Sequence, residues 1–363
     1  MKIGTLTFHT AHNYGAVLQA YALVRTIQEL GYDAEIIDYH AEFNAKRFAT
    51  KPLKHYLSAR QIYSILFRNA YHIPCTEVFT EFYKKYLPTS KQIYSKEDLQ
   101  KSENIYDRIV TGSDQIWNLA CTAGDDAYFL PFVNNKHKKS AYAASFGVAS
   151  IKEEDRQKIS NYIASFETIS VREKEGADIV KKLTGKDACH VIDPTLLLDM
   201  EQWIQLADYS RCPDRPYLLV YLMSEDISLL RFAKRYAKYH NLKVIYISQR
   251  LFKHMNLSYL RNVTPNQWLG LFSRADTVVT NSFHGSAFAV NFGKNVFIKY
   301  IPRSIANSRL KNIIEDYQLY THLLDKSNIG LTNFPPIDRN RVTKKLSTSR
   351  ERSYDFIREQ ILA

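Results

Sequence analysis

Apolar and polar positions follow a strand–helix–strand rhythm from the beginning of the chain. The strand-like run Ile3–Phe8 predicts a strand, and the helical spacing of apolar side chains over Ala16–Leu30 predicts a helix that ends at Gly31. A second strand is predicted at Ala34–Tyr39. This βαβ unit is typical of α/β proteins with a parallel sheet.

Residues 41–100 break the rhythm, because they are rich in Lys, Tyr and Phe and show helical patches without a clear strand. We interpret them as a helical insertion. The rhythm then returns, with strands predicted at Ile105–Thr111, Ser140–Ala144, Thr168–Val171 and Ala188–Ile192, and helices at Glu153–Phe166 and Asp178–Leu183.

A second α/β unit is predicted after a turn between Pro213 and Pro216. Its predicted strands are Tyr217–Met223, Lys243–Ile247, Thr277–Thr280 and Asn295–Tyr300, and its predicted helices are Asp226–His240, Thr264–Arg274 and Ser286–Phe292. We therefore assign residues 1–212 to an N-terminal Rossmann-like domain and 213–345 to a C-terminal one. Residues 346–363 form a C-terminal helix, predicted at Ser347–Leu362.

Composition fits two domains that each have a core, since the 363 residues are 45% hydrophobic. Lys and Arg exceed Asp and Glu by 49 to 37, a net charge of +12 that favours anionic partners. The basic residues are dispersed and form no nucleic-acid-binding motif, so nucleic acid is not an expected partner. An anionic substrate or a membrane-associated acceptor fits better.

The cysteines argue against a disulfide framework and a structural zinc site, because the four contain no C-x-x-C pair. They are Cys75, Cys121, Cys189 and Cys212. No secretory signal peptide is predicted, and the longest apolar runs, such as Tyr217–Met223, are too short to span a bilayer. We expect a cytoplasmic protein; the positive charge would also suit peripheral contact with the inner face of the membrane.

Ligands of open α/β sheets bind outside the carboxyl ends of the strands. Polar, hydroxyl-bearing and glycine residues gather at these ends here. The segments are His9–Gly15, Gly112–Asn118, Ser145–Gly147, Arg172–Glu173, Asp193–Pro194 and Asn281–Gly285.

Two of these residues are the strongest functional candidates. His284 follows a strand and opens a helix, where it could bind a phosphate or act as a general acid or base. Its alternative role is capping or packing. Arg172 ends a strand and could hold a carboxylate or phosphate through two hydrogen bonds. Its alternative is a surface pair with Glu173.

Other strand-end residues carry weaker signals. Asp114 and Gln115 could hold sugar hydroxyls, or they could form a local turn. Trp117 could stack on a sugar, and a buried core position is its alternative. Asn13 and Tyr14 could face the cleft, with capping of the following helix as the alternative.

Arg303 and Arg309 follow the last strand of the second sheet. They could add positive charge near His284, or they could be solvated.

Several familiar nucleotide and hydrolase motifs are absent from the sequence. It has no G-x-G-x-x-G after the first strand, no G-x-x-x-x-G-K-[ST] and no G-x-S-x-G. These absences argue against dinucleotide binding, P-loop hydrolysis and serine esterase chemistry. No carboxylate–histidine cluster has the spacing of metal ligands, so no metal is predicted.

Taken together, the motifs resemble the polysaccharide pyruvyltransferase family over roughly residues 3–310. The matching segments are Asn13–Gln19 with Ala22–Leu23, Thr111–Asn118, Ser170–Glu173, Asp193–Pro194, and Ala275–Asp276 followed by Ser282–Gly285.

This resemblance implies a GT-B-like fold, in which two Rossmann-like domains face each other across a cleft. The N-terminal domain would be the acceptor side and the C-terminal domain the donor side. It also implies transfer of pyruvate from phosphoenolpyruvate onto two hydroxyls of a sugar, giving a cyclic ketal, without a cofactor. The acceptor would be a sugar of a cell-surface polysaccharide or its precursor, free or as a lipid-linked oligosaccharide.

The family commonly binds its donor with arginines and an Arg-x-His motif. Ser282 occupies the place of that arginine, whereas His284 and Arg172 match. We hypothesise that Arg303 or Arg309 supplies the missing charge. The expected donor-binding set is Arg172, Ser282, His284, Gly285, Arg303 and Arg309.

For catalysis, His284 is the expected proton carrier and Asp114 the weaker candidate for the base. The expected acceptor-binding set is Asn13, Tyr14, Gln115 and Trp117.

Two alternatives stay open at this point. One is a GT-B-type glycosyltransferase that uses a nucleotide sugar, since fold alone does not fix the reaction. The other is a non-catalytic binder of acidic glycans. Both alternatives stay open because Ser282 stands where the family has an arginine that binds the donor.

Overall fold

The fold is organised by two parallel β-sheets. A computed structural model of the chain describes residues 1–43, 76–249, 255, 257–304 and 307–363. The first sheet has the strand order β3-β2-β1-β4-β5-β6-β7. Its strands are β1 (Lys2–Leu6), β2 (Asp33–Tyr39), β3 (Thr89–Tyr94), β4 (Arg108–Thr111), β5 (Lys139–Ala144), β6 (Thr168–Val171) and β7 (Cys189–His190).

The second sheet has the order β10-β9-β8-β11-β12. Its strands are β8 (Tyr217–Tyr221), β9 (Lys243–Ile247), β10 (Ser258–Leu260), β11 (Thr277–Thr280) and β12 (Asn295–Ile298). In each sheet the strand order reverses once, between β1 and β4 and between β8 and β11. The crevices outside the carboxyl ends at these two points are the expected ligand positions of such sheets.

Helices cover the sheets. Those of the first half are α1 (Tyr14–Glu29), α2 (76–86), α3 (Glu153–Ala164), α4 (Lys174–Thr184) and α5 (Met200–Ile204). Those of the second half are α6 (Ile227–Tyr239), α7 (Pro265–Arg274), α8 (Phe283–Asn291), α9 (Asn307–Asp316) and α10 (Arg339–Phe356). None of the helices in the described ranges is both long and apolar enough to cross a membrane.

The predicted α/β fold class with two parallel sheets is confirmed, but two strands were missed. Residues 44–75 of the predicted helical insertion lie outside the described residues, whereas β3 contradicts a purely helical interpretation of 41–100. β3 is an edge strand with three consecutive exposed residues, so it lacks the apolar run that marks a buried strand. β10 is also at an edge and has only three residues.

Two helices begin earlier in the structure than the sequence predicted. The C-terminal helix α10 begins at Arg339, eight residues before the predicted start at Ser347, and α4 begins at Lys174 instead of Asp178. The proposed division at residue 213 falls between α5 and β8, so that one sheet lies on each side of it.

Buried polar bonds fasten the two halves together at the far end of α8. The Asn291 amide donates to the carbonyls of Thr195 (3.0 Å) and Leu198 (2.9 Å). Arg350, on α10, donates to the Asn291 amide oxygen (2.6 Å) and to the Leu196 carbonyl (2.6 Å). Residues from α8, α10 and the segment after β7 therefore share one hydrogen-bonded junction.

A buried histidine makes stability dependent on pH. The His322 ring is 1% exposed and packs against Phe297, with ring centroids 5.0 Å apart. Burial lowers the pKa of His322 to about 4. The unfolded chain, with a histidine pKa of about 6.5, therefore binds a proton at pH 5 that the folded chain does not.

We expect stability to fall by at most about 2 kcal/mol between pH 7.5 and pH 5 because of His322. Urea unfolding at both pH values measures it, and His322→Phe should reduce the loss. The exposed His137 provides the control substitution, His137→Phe. An identical pH dependence in wild type and His322→Phe would contradict the assignment.

Candidate functional site

The carboxyl ends of several strands bring a charged cluster together between the two sheets. Arg172 directly follows β6, Asp193 lies three residues after β7, and Asp114 lies three residues after β4. His284 lies in the first turn of α8, which follows β11. We call Asp114, Arg172, Glu173, Asp193, His284 and Arg309 the charged cluster.

Arg172 is the centre of the charged cluster. Its guanidinium contacts three carboxylates. Nη1 donates a hydrogen bond to Asp193 Oδ2 at 2.7 Å, and Nε donates one to Glu173 Oε1 at 3.0 Å. Nη2 donates a longer one to Asp114 Oδ1 at 3.5 Å. Burial by itself would lower the pKa of Arg172, but these carboxylates raise it, so the guanidinium stays charged. The side chain is only 1% exposed, so the alternative of a surface pair with Glu173 is wrong.

Asp193 joins Arg172 to His284. Its Oδ1 accepts hydrogen bonds from the Thr195 amide (2.9 Å) and hydroxyl (2.7 Å), while Oδ2 contacts Arg172 and lies 3.7 Å from His284 Nε2. Burial would raise the pKa of the Asp193 carboxyl, but His284 and Arg172 outweigh it and hold the pKa far below its usual range. Asp193 is therefore a buried, charged carboxylate. The sequence placed it at a strand end but gave it no role.

Gly15 lets His284 reach the charged cluster. The first residue of α1 is Tyr14, and a Cβ atom on the next residue, Gly15, would lie 2.0 Å from His284 Nδ1. The imidazole therefore fills the space that any side chain at position 15 would need.

Ser282 is the residue that caps α8, the helix that carries His284. Its hydroxyl accepts a hydrogen bond from the Gly285 amide (3.2 Å).

Arg309 is the second arginine of the charged cluster. Its Nη1 atom lies 4.0 Å from Asp114 Oδ1, and its guanidinium carbon lies 5.8 Å from the centre of the Phe283 ring. The Arg172 guanidinium lies over the same ring at 4.6 Å. Burial and the like charge of Arg172 lower the pKa of Arg309.

Two buried nitrogen atoms of the charged cluster have no hydrogen-bonding partner among the described residues. They are His284 Nε2 and Arg309 Nε. Buried polar atoms are almost always paired, and unpaired ones call for an explanation such as an unfilled ligand site. An oxygen acceptor of a bound anion is one partner that each nitrogen could take.

Two of the predicted acceptor residues are structural, and their predicted roles are wrong. Trp117 is fully buried and stacks on Phe129 with ring centroids 5.7 Å apart, so no face is open to a sugar. Tyr14 donates its hydroxyl to the Val263 carbonyl (2.7 Å) and stacks on Trp268 at 5.5 Å. It holds α1 against α7 instead of facing a ligand.

The remaining predicted residues form no described bond with the charged cluster. Asn13 caps α1 by accepting from the Ala16 amide (3.2 Å), and Gln115 accepts from the Asn118 amide group (3.1 Å). Arg303 is exposed and forms no ion pair with a described residue, which agrees with the solvated alternative. Gly285 is required by packing, because a Cβ there would lie 2.5 Å from Thr280 Oγ1.

Solved structures show which fold this is. The chain is similar to a Listeria monocytogenes protein described as a UDP-N-acetylglucosamine 2-epimerase, with a TM-score of 0.53 and 9% identity over 98% of this chain and 89% of that chain. A weaker likeness is to the glycosyltransferase SnogD from Streptomyces nogalater, with a TM-score of 0.40 and 11% identity over 100% of this chain and 99% of that chain. At this identity the likeness to the epimerase structure shows the fold alone, and the expected GT-B-like fold is confirmed.

Sequence comparison gives the family. No curated protein sequence matches the chain. The model of the family described as polysaccharide pyruvyl transferase, however, matches residues 13–300. This span includes Arg172, Asp193 and His284 and ends before Arg303 and Arg309. The chain therefore belongs to the polysaccharide pyruvyl transferase family.

Proposed function

We propose that this protein transfers pyruvate from phosphoenolpyruvate to two hydroxyls of a sugar in a cell-surface polysaccharide or its precursor. The observation that carries the proposal is the pair of unpaired buried nitrogens, His284 Nε2 and Arg309 Nε, beside the charged Arg172. A phosphate ester with an adjacent carboxylate offers several oxygen acceptors for such donors.

Charge balance supports a role for protonated His284. Two arginines face three carboxylates in the charged cluster, so the cluster is neutral only when His284 carries a proton. His284 would then hold a proton at Nε2, 3.7 Å from the Asp193 carboxylate.

The reaction needs one proton at the methylene carbon of phosphoenolpyruvate. His284 would donate it, which leaves positive charge at the carbon that bears the phosphate. One sugar hydroxyl forms a bond to this carbon, the carbon–oxygen bond to phosphate breaks, and the second hydroxyl closes the ketal. One hydroxyl proton replaces the proton that His284 gave, and the other leaves with phosphate.

Arg309 and Asp114 would complete the machinery. We propose Arg309 as the replacement for the charge that Ser282 lacks, because it lies in the charged cluster and Arg303 does not. Cations fixed around the departing phosphate stabilise it. Asp114, with 14% of its side chain exposed, is the most open carboxylate of the cluster and would accept a hydroxyl proton.

The two arginines give a matched test. We expect Arg309→Ala to weaken phosphoenolpyruvate binding about 10- to 100-fold, as loss of hydrogen bonds between charged groups predicts. Arg303→Ala should leave the dissociation constant unchanged, because this side chain is exposed. Isothermal titration calorimetry measures both. Equal affinity for wild type and Arg309→Ala would remove Arg309 from the site.

The overall reaction is tested by phosphate release from phosphoenolpyruvate in the presence of candidate glycans, including lipid-linked ones. Thermal shifts with phosphoenolpyruvate and with UDP- and GDP-sugars separate this activity from that of a glycosyltransferase, since a bound ligand stabilises the folded state. Stabilisation by nucleotide sugars alone would favour the glycosyltransferase. Retention of the cellular role by His284→Ala would favour a non-catalytic glycan binder.

A further inference from the structure

A second polar cluster lies at the carboxyl ends of β1 and β2 and takes no part in the steps above. Its centre is Asp38, whose side chain is 6% exposed. The Asp38 carboxylate accepts hydrogen bonds from His9 Nε2 at 3.0 Å, from His40 Nε2 at 2.8 Å and from the Tyr83 hydroxyl. We call Asp38, His9, His40 and Tyr83 the Asp38 cluster.

His9 and Asp38 form a buried hydrogen-bonded pair. His9 Nδ1 lies 3.1 Å from the Thr7 carbonyl oxygen, and Nε2 faces the carboxylate. Burial would raise the pKa of the Asp38 carboxyl, but the hydrogen bonds from His40, His9 and Tyr83 outweigh it and keep the carboxyl ionised.

The Asp38 cluster lines a cavity of about 550 Å³. This volume lies within the range of small-molecule sites. Lys84 and Lys91 are exposed at the same cavity, and Phe79 contributes an aromatic wall on which the His12 ring stacks at 5.7 Å. Hydroxyls of threonine and serine complete a lining that can both donate and accept hydrogen bonds.

The charge of the cavity favours an anion. Asp38 is the only acidic side chain among the described lining residues, and two lysines line the same cavity. Lys84, Lys91 and the half-exposed His40 then leave a net positive lining. Hydroxyl and imidazole groups suit the hydroxyls of a sugar ring, and the surplus positive charge suits an acidic substituent on that ring.

The cavity adjoins the charged cluster through one loop. His9 and His12 line the cavity, and the same loop continues to Gly15, against which the His284 imidazole lies. A sugar in the cavity would therefore lie across this loop from the proposed donor site.

We propose that this cavity binds a sugar of the acceptor that carries a phosphate or carboxylate group. The Asp38 cluster would hydrogen-bond the sugar hydroxyls, and His40, Lys84 and Lys91 would hold the acidic group. The statement that this sugar is part of the acceptor rests on the proposed function. The statement that an acidic sugar binds in this cavity is independent of it.

Four probes test the site by calorimetry without a donor: α-glucose 1-phosphate, glucuronic acid, methyl α-glucoside and inorganic phosphate. At least one acidic sugar should bind ten or more times more tightly than the neutral glucoside and than phosphate alone. Comparison of α-glucose 1-phosphate with glucuronic acid shows whether the cavity prefers a phosphate or a carboxylate group. Equal affinity for acidic and neutral sugars, or tighter binding of inorganic phosphate, would overturn the proposal.

Variants locate the binding. His40→Gln and the double variant Lys84→Ala/Lys91→Ala should each weaken acidic-sugar binding at least fivefold, and His137→Gln is the control at an exposed histidine outside the cavity. These side chains are half-exposed or exposed, so the fold should tolerate the changes. Undiminished binding in both cavity variants would overturn the proposal. Failure of phosphoenolpyruvate to bind, with acidic-sugar binding intact, would instead overturn the proposed function.

Discussion

Replacing Gly15 with alanine is expected to abolish the proposed pyruvyl transfer. The added methyl carbon would lie 2.0 Å from His284 Nδ1 and 2.2 Å from Cγ, so the imidazole must leave its position or the start of α1 must shift. Either movement separates His284 from Asp193 and removes the proposed proton carrier. Loss of a general acid lowers turnover by about 100- to 10,000-fold, which phosphate release from phosphoenolpyruvate would measure.

Gly330→Ala is the matched control, because no atom lies within 4 Å of a Cβ there. Its turnover should equal that of wild type. Far-ultraviolet circular dichroism and urea unfolding would show that Gly15→Ala still folds, with a stability loss of about 1–3 kcal/mol from overpacking. If Gly15→Ala kept more than a third of wild-type turnover, the position of His284 would not matter for the reaction.

The second large effect is expected from Asp193→Asn, on stability. The substitution keeps the shape of the side chain but removes the charge that faces Arg172 Nη1 at 2.7 Å, between side chains that are 1% and 0% exposed. Breaking a buried ion pair from one side leaves a charge with less compensation and costs about 3–5 kcal/mol. Urea unfolding monitored by fluorescence would measure the difference.

An exposed ion pair calibrates this result. Lys174 and Asp316 lie 2.9 Å apart, with 52% and 26% of their side chains exposed. Asp316→Asn should therefore change the free energy of unfolding by no more than about 1 kcal/mol. Equal losses in the two variants would mean that the Arg172–Asp193 pair contributes no more than a surface contact.

How far the sequence predicted the molecule depended on how local the signal was. The central strands β1, β4 and β8 are almost entirely buried, and their apolar residues located them in the sequence. The edge strands β3 and β10 have a neighbour on one side only and need few apolar residues, and periodicity missed them. The local sequence pattern does not show whether a strand lies at the centre or at the edge of a sheet. For this reason the central strands were predicted and the edge strands were not.

The same limit applies to the candidate site. Strand ends pointed to Arg172 and His284, because parallel strands present their carboxyl ends at one edge. The sequence could not show that Tyr14 packs on Trp268, or that Asp193 joins Arg172 to His284, since each contact links segments distant in the chain. Gly15 was part of a recognised motif, but only the opposing imidazole explains why it is a glycine.

The junction around Asn291 determines how accurately His284 is held. From His284 to Asn291, α8 spans about 10 Å, so a 10° tilt about its last turn would displace the imidazole by about 2 Å. Bonds from Asn291 to the Thr195 and Leu198 carbonyls resist that tilt, and Thr195 itself binds the Asp193 carboxylate. Thr195 thus contacts both the end of α8 and the Asp193 carboxylate, so that a movement of one half of the molecule would shift His284 and Asp193 together.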